Sequence, residues 1–235
     1  MAGSYTTALR QKLRVEKTPV IPDIKSKSPG EGDLLSGRDP VAFAVELVAA
    51  GAPALSVVTE AEHFGGSPEL FSRISHAVTV PVLRKDFITT VEQVQESVDM
   101  GAAAVLLIAA MMEKSVLFKL FEKALSLGLE PLVETHNEAE IRIANELKPT
   151  FLGINNRNIL ELEKDGGNVS RTENLAALAW PEALIVSESS ISSPCDVRRA
   201  AAAGAHAVLV GTAILRADDP AAMYRKLSEL KEQQA

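Results

Sequence analysis

Several apolar runs in this chain stop at charged or amide side chains whose chemistry is complementary. Residues 20–25, Val-Ile-Pro-Asp23-Ile-Lys25, run into Ser26-Lys27-Ser28-Pro29, and Pro81-Val-Leu is followed by Arg84-Lys85-Asp86-Phe87. Glu134, Asn155 with Arg157, Glu188 with Ser189, and Gly211 with Thr212 stand at the ends of comparable runs. Lysines and carboxylates gathered in one partly dry cavity are driven to opposite protonation states, which supplies a general acid and a general base together. A single lysine or glutamate at a strand end reads as a solvated loop charge; several strands behaving alike read as a site, provided one fold brings their ends together.

A parallel α/β barrel does that, because the C-terminal ends of all its strands face one mouth. Strands are predicted at 20–25, 54–58, 78–83, 103–109, 130–134, 151–155, 183–187 and 207–210. Helices alternate with them, opened by Asp39, Thr90 and Asn137 as N-caps and, at Pro40, Pro68 and Pro194, by proline in the first turn. Gly51-Ala-Pro-Ala-Leu, Gly101-Ala-Ala-Ala-Val and Gly204-Ala-His-Ala-Val repeat a left-handed helix cap directly before a strand. A longer loop passes through Asp165, a final helix starts near Asp219, and the last residues are expected to fray. The expected fold is α/β, a (β/α)8 TIM barrel over residues 19–235, preceded by a short helical extension over residues 1–18 with Leu9 and Leu13 on one face. An open doubly wound sheet shares the alternation, but no Gly-x-Gly-x-x-Gly follows the first strand.

In such a barrel, Ser187-Glu188-Ser189-Ser190 after the seventh strand and Gly211-Thr212 after the eighth lie where phosphate is commonly held by backbone N–H groups and a helix N-terminus. His63 falls in the second strand-to-helix loop, within reach of the mouth, whereas His76, His136 and His206 lie outside the strand-end set. No histidine and carboxylate spacing suggests a metal site, and none is expected.

Composition narrows the partners. A net charge of −7 over 235 residues argues against a nucleic-acid or anionic-membrane surface, while leaving room for a small anion where cations converge. With no apolar run of about 18 residues and no leader pattern at Met1, a cytoplasmic protein is expected. The lone Cys195, after Ser193-Pro194 at a helix start, excludes an internal disulfide and reads as structural.

With these residues in view, the chain resembles the indole-3-glycerol phosphate synthase family of tryptophan biosynthesis from Val20 to about Leu230. The resemblance is carried in combination by Pro81-Val-Leu-Arg-Lys-Asp-Phe-Ile88, Ile24-Lys-Ser-Lys-Ser-Pro29, Val105-Leu-Leu-Ile108, Leu132-Val-Glu134, Gly153-Ile-Asn-Asn-Arg-Asn158, Val186-Ser-Glu-Ser189 and Val208-Leu-Val-Gly-Thr212. It implies cofactor-free ring closure, decarboxylation and dehydration of 1-(2-carboxyphenylamino)-1-deoxyribulose 5-phosphate, by a monomer or weak homodimer. It further implies Lys85 as general acid on the substrate carbonyl and Glu134 as proton partner in dehydration. Lys25 would bind the carboxylate and phosphate region and share the acid role, with Asp23 and Asn155 completing the catalytic set. Asn155 and Arg157 would position the anthranilate part, Ser28 its carboxylate and Phe87 its ring, with Glu188 also on the substrate; Ser189, Ser190, Gly211 and Thr212 would cradle the phosphate.

Three departures from the family pattern carry physical consequences. Asp23 stands where the family has glutamate, one methylene longer. Ser190 stands where it has glycine, which removes free access to positive φ and puts a side chain where phosphate approaches. The segment before Asp23 is short. Two other readings therefore stay open: a phosphate-binding barrel without turnover, and a Schiff-base aldolase using Lys25 or Lys85.

Overall fold

The computed structural model of the protein describes residues 4–15, 18–162 and 167–229; residues 163–166 of the loop expected through Asp165, and the expected fraying of residues 230–235, lie outside the described residues. Eight parallel strands close into a barrel: β1 (Val20–Ile24), β2 (Leu55–Val58), β3 (Val82–Lys85), β4 (Ala104–Ile108), β5 (Glu130–Thr135), β6 (Phe151–Asn155), β7 (Leu184–Glu188) and β8 (Ala207–Val210). Each pairs with its chain neighbours, and β1 closes on β8 with Ile21 opposite Leu209. The open-sheet alternative is thereby removed.

Preceding the barrel is α1 (Tyr5–Leu13); α2 (Pro40–Ala49), α3 (Pro68–Ala77), α4 (Val91–Asp99), α5 (Lys114–Ser126), α6 (Glu138–Glu146), α7 (Ser170–Leu175) and α8 (Pro194–Ala202) follow successive strands, and β8 is followed by α9 (Thr212–Leu215) and α10 (Pro220–Ser228). The caps fall where the sequence puts them: the side chains of Asp39, Ser67, Thr90, Asn137 and Ser193 each accept a backbone N–H of the first turn. The repeated glycines adopt the required left-handed backbone, with φ of 109°, 84° and 106° at Gly51, Gly101 and Gly204. The sequence pattern does not announce α9, or a small ribbon pairing Lys27–Ser28 with Gly32–Asp33.

Strand periodicity sorts the side chains into two cores. Residues such as Val57, Val105, Val133 and Ile154 face outward and pack under the helices. Ile21, Leu83, Leu106, Leu132, Phe151, Val186 and Leu209 face inward and fill the barrel. The inward parity continues upward to Asp23, Lys85, Glu134, Asn155 and Glu188, so the floor and the mouth are built by the same faces of the same strands. At the floor, α1 inserts Tyr5 and Leu9, both fully buried, and the Tyr5 hydroxyl donates to the Leu55 carbonyl at 3.0 Å. The Glu130 carboxylate receives the backbone N–H groups of Tyr5 and Thr6 at 2.5 and 3.1 Å, an acid at the positive end of the α1 dipole.

One strand differs from expectation. The predicted third strand, 78–83, is displaced: β3 begins at Val82 and includes Arg84 and Lys85. Arg84 points outward yet is buried, with Nη2 3.0 Å from Asp86, Nη1 2.8 Å from Glu96, and Nε donating to the Thr59 hydroxyl. A paired guanidinium is accepted in a strand that an unpaired one would have ended.

Candidate active site

At the mouth, two lobes meet. The first carries the apolar side chains Val58, Phe64, Phe87, Leu106, Ile108 and Ile159 in its wall. The second, larger and more polar, is bounded by Arg157, Ser189, Ser190, Gly211, Thr212 and Arg216. Asp23, Lys25 and Lys85 line both. They come from β1, the residue after it, and β3, where inward side chains at successive strand ends converge.

Lys85 Nζ lies 3.2 Å from Glu188 Oε2 and 4.0 Å from Glu134 Oε2, with both carboxylates shut off from solvent. Burial pushes Glu188 up to about 8, against the pull of the Lys85 ammonium and with the help of Glu134 and Asp23. The cluster therefore places a lysine and two buried carboxyl groups within one contact shell, with the proton affinity of Glu188 raised. The space for Glu188 comes from Gly153 on β6: a Cβ there would sit 2.1 Å from Glu188 Oε1. Asp23 turns to β2, where its Oδ1 accepts the Ser56 hydroxyl at 2.6 Å, and this is where the shorter acid's reach is spent.

The phosphate candidates gather as expected. Ser189 and Ser190 both adopt left-handed backbone, φ 62° and 58°, a conformation costing a non-glycine residue roughly 1–2 kcal/mol. Ser190 Oγ accepts from Arg157 Nε at 3.2 Å, so the serine at the family's glycine position is engaged with the lobe's guanidinium. Arg157 borders the polar lobe and does not line the apolar one.

Other candidates stand back from the cavity. Asn155 is buried, and its Oδ1 accepts the Arg157 backbone N–H at 3.0 Å, fixing the turn after β6. Ser28 is buried in the ribbon and does not line either lobe. His63 reaches the rim, its ring 6.5 Å from that of Phe87.

Three residues escape sequence reasoning. Glu60 lines the apolar lobe and accepts the backbone N–H groups of His63 and Phe64 at 2.8 and 2.9 Å, which hold its carboxyl below the usual range although burial opposes this. Glu60, Glu62 and His63 form one group whose ligand atoms lie within 4.8 Å of one another, a proximity that only the loop's fold creates. Asn156 points outward and ties Thr172 to Ser187 and the Glu188 carbonyl, holding the end of β7; its neighbours are distant in sequence and leave no local signal. His136, 3.2 Å from Glu134, had a signal: two residues beyond an inward glutamate, it continues the strand's parity.

A parallel barrel whose mouth joins lysines and carboxylates where an apolar lobe meets a polar one defines a TIM-barrel enzyme built for acid–base chemistry. A family model described as indole-3-glycerol phosphate synthase matches residues 2–227. Indole-3-glycerol phosphate synthase of Pyrococcus furiosus is 41% identical over 216 residues, covering 92% of this chain and 94% of that protein. The Thermococcus kodakarensis enzyme of the same name is 42% identical over 218 residues (93% and 95%), and that of Geobacillus kaustophilus 41% over 227 residues (96% and 86%). The chain belongs to the indole-3-glycerol phosphate synthase family, carboxy-lyases of tryptophan biosynthesis.

Proposed function

We propose that this chain closes the indole ring of 1-(2-carboxyphenylamino)-1-deoxyribulose 5-phosphate, with Lys85 as the principal acid. The observation that carries the reading is that Asp23, Lys25 and Lys85 line both lobes. A substrate with an aromatic carboxylate at one end and a phosphate at the other has its reacting carbonyl between them, at that seam.

In this reading the aryl ring lies in the apolar lobe against Phe87, and the phosphate sits among Ser189, Ser190, Gly211 and Thr212. The ring carbon bearing the carboxylate attacks the ketone carbon, and Lys85 gives its proton to the carbonyl oxygen. As CO2 leaves, the electron pair of the broken carbon–carboxylate bond returns to the ring and restores its aromaticity. The new hydroxyl then departs as water on a proton from Lys25 while Glu134 accepts the proton lost from the adjacent carbon. Lys25 neutralises the substrate carboxylate before it leaves and is the alternate acid; Asp23 orients Lys25, and Glu188 holds Lys85. Arg157 is better placed for the phosphate end than for the anthranilate end, supported by its contact with Ser190, and Asn155 acts by fixing that arginine's turn. Ser28 contributes from the ribbon over the mouth.

Residues 19–235 form the barrel domain in this reading and residues 1–18 its extension. A cytoplasmic location fits the absence, among the described residues, of any helix long and apolar enough to cross a membrane. A monomer or weak homodimer fits the scatter of the exposed large apolar residues Val15, Val45, Leu125, Leu160 and Leu178.

Indole formation followed by fluorescence tests the proposal. The parent turns over, and Lys85→Ala slows it by about a hundredfold or more. Substrate binding without turnover in the parent would leave a phosphate-binding barrel instead, and a covalent adduct trapped by borohydride would point to the aldolase.

A further inference from the structure

The histidine that the strand ends do not include is in contact with the proposed base. We propose that His136 is a positioning residue for Glu134, an imidazolium clamped between Glu134 and Glu140 that fixes the Glu134 carboxylate at the mouth and keeps it in its proton-accepting form. The inference rests on the reading in which Glu134 accepts the proton lost in dehydration.

Both ring nitrogens lie beside carboxylate oxygens: Nδ1 is hydrogen-bonded to Glu140 Oε2 at 3.0 Å, and Nε2 is 3.2 Å from Glu134 Oε1, an ion-pair distance set off the hydrogen-bond line. A neutral imidazole has one N–H and would turn a lone pair toward one of these acids; only the doubly protonated ring suits both. Burial works against that charge, yet the two adjacent carboxylates, Glu134 and Glu140, hold the imidazole up to about 9. Glu140 is itself fixed. Its Oε2 also accepts the His136 backbone N–H at 2.7 Å, and its own N–H donates to Asn137 Oδ1 at the N-cap of α6. The clamp thus ties the end of β5 to the first turn of the following helix.

The charges around the pair are few. Glu134 faces Lys85 of β3 at 4.0 Å, the same ammonium that Glu188 of β7 approaches at 3.2 Å, and among the described residues the ion pairs of His136 are with Glu134 of β5 and Glu140 of α6. The short turn Ala109–Met111, which packs on both β5 and α6, carries no ionisable side chain. When Lys85 gives up its proton the mouth loses a positive charge, and His136 still presents one to Glu134. The base is therefore kept ionised through the step that would otherwise leave it a buried, uncompensated charge.

Histidine-selective nitrogen NMR on the resting protein and steady-state kinetics on His136→Gln test this separately. At about pH 7.5 both His136 nitrogens carry protons, and in Glu134→Gln or Glu140→Gln the ring titrates lower. His136→Gln lowers kcat by about tenfold to a hundredfold with KM changed less than about twofold, and moves the acidic limb of kcat/KM up by about one pH unit. A neutral ring in the resting protein overturns the proposal, as does a rate loss with the pH profile unmoved. Should His136→Gln fail to fold, Glu140→Gln, which retains the ring, takes its place: its alkaline limb moves down if the clamp is right and stays put if it is wrong. A parent without turnover refutes the reaction assigned above, and the NMR result alone then decides whether the clamp exists.

Discussion

Two ionisable groups at the mouth, Glu188 and His136, bind protons more tightly in the folded chain than free side chains do, and this has a sign. Glu188 is raised from 4.5 to about 8 and His136 from 6.5 to about 9. For each, the folded protein holds a proton that the unfolded chain releases, so the associated stability is fully present below the unfolded value and is lost as pH rises through the folded one. Thermal unfolding should therefore shift to lower temperature as pH climbs from 6.5 towards 9. Glu188→Gln should flatten the decline between about pH 4.5 and 8, and His136→Gln that between about pH 6.5 and 9, the two overlapping between 6.5 and 8. A calorimetric midpoint that holds constant across the window in the parent would contradict both assignments. The identities of the acids and lysines were readable because polar residues interrupt apolar runs; their states were not, since those depend on Gly153 making room for Glu188 and on distances between strands far apart in sequence.

Among the elements, α1 shows how a short piece of chain acquires a fixed place. Its own apolar residues are few, and its position comes from Tyr5 and Leu9 filling the barrel floor and from Glu130 capping its first turn. Tyr5→Ala should cost about 3–5 kcal/mol in denaturant unfolding. Tyr5→Phe, which gives up only the bond to Leu55, should cost about 1 kcal/mol; equal losses would mean that the ring does not plug the floor. Most other elements were legible from caps and periodicity. Strand β3 was not, because Val78-Thr-Val-Pro81 has the composition of a strand while Arg84 has that of a loop, and the partners that make Arg84 tolerable lie just after β2, on α4 and in the turn after β3. The small ribbon and α9 are too short for periodicity to register.

Taken whole, the molecule puts its fastening at one end of the barrel and its chemistry at the other, with two lobes on the reactive end. If those lobes serve the two ends of one substrate, anthranilate and inorganic phosphate should bind together, each leaving the other's affinity within about a factor of two. Mutual exclusion in a calorimetric titration would show that they compete for one place. The seam between the lobes is set by β1 and β3, and these are separated by β2 in a closed ring of hydrogen-bonded strands that has no free edge to slide. The mouth accordingly acts as a ruler. It gauges the number of atoms between an aromatic end and an anionic end, and a compound with both ends correct but a spacer one carbon too long or too short would seat them and still hold its carbonyl out of line with Lys85.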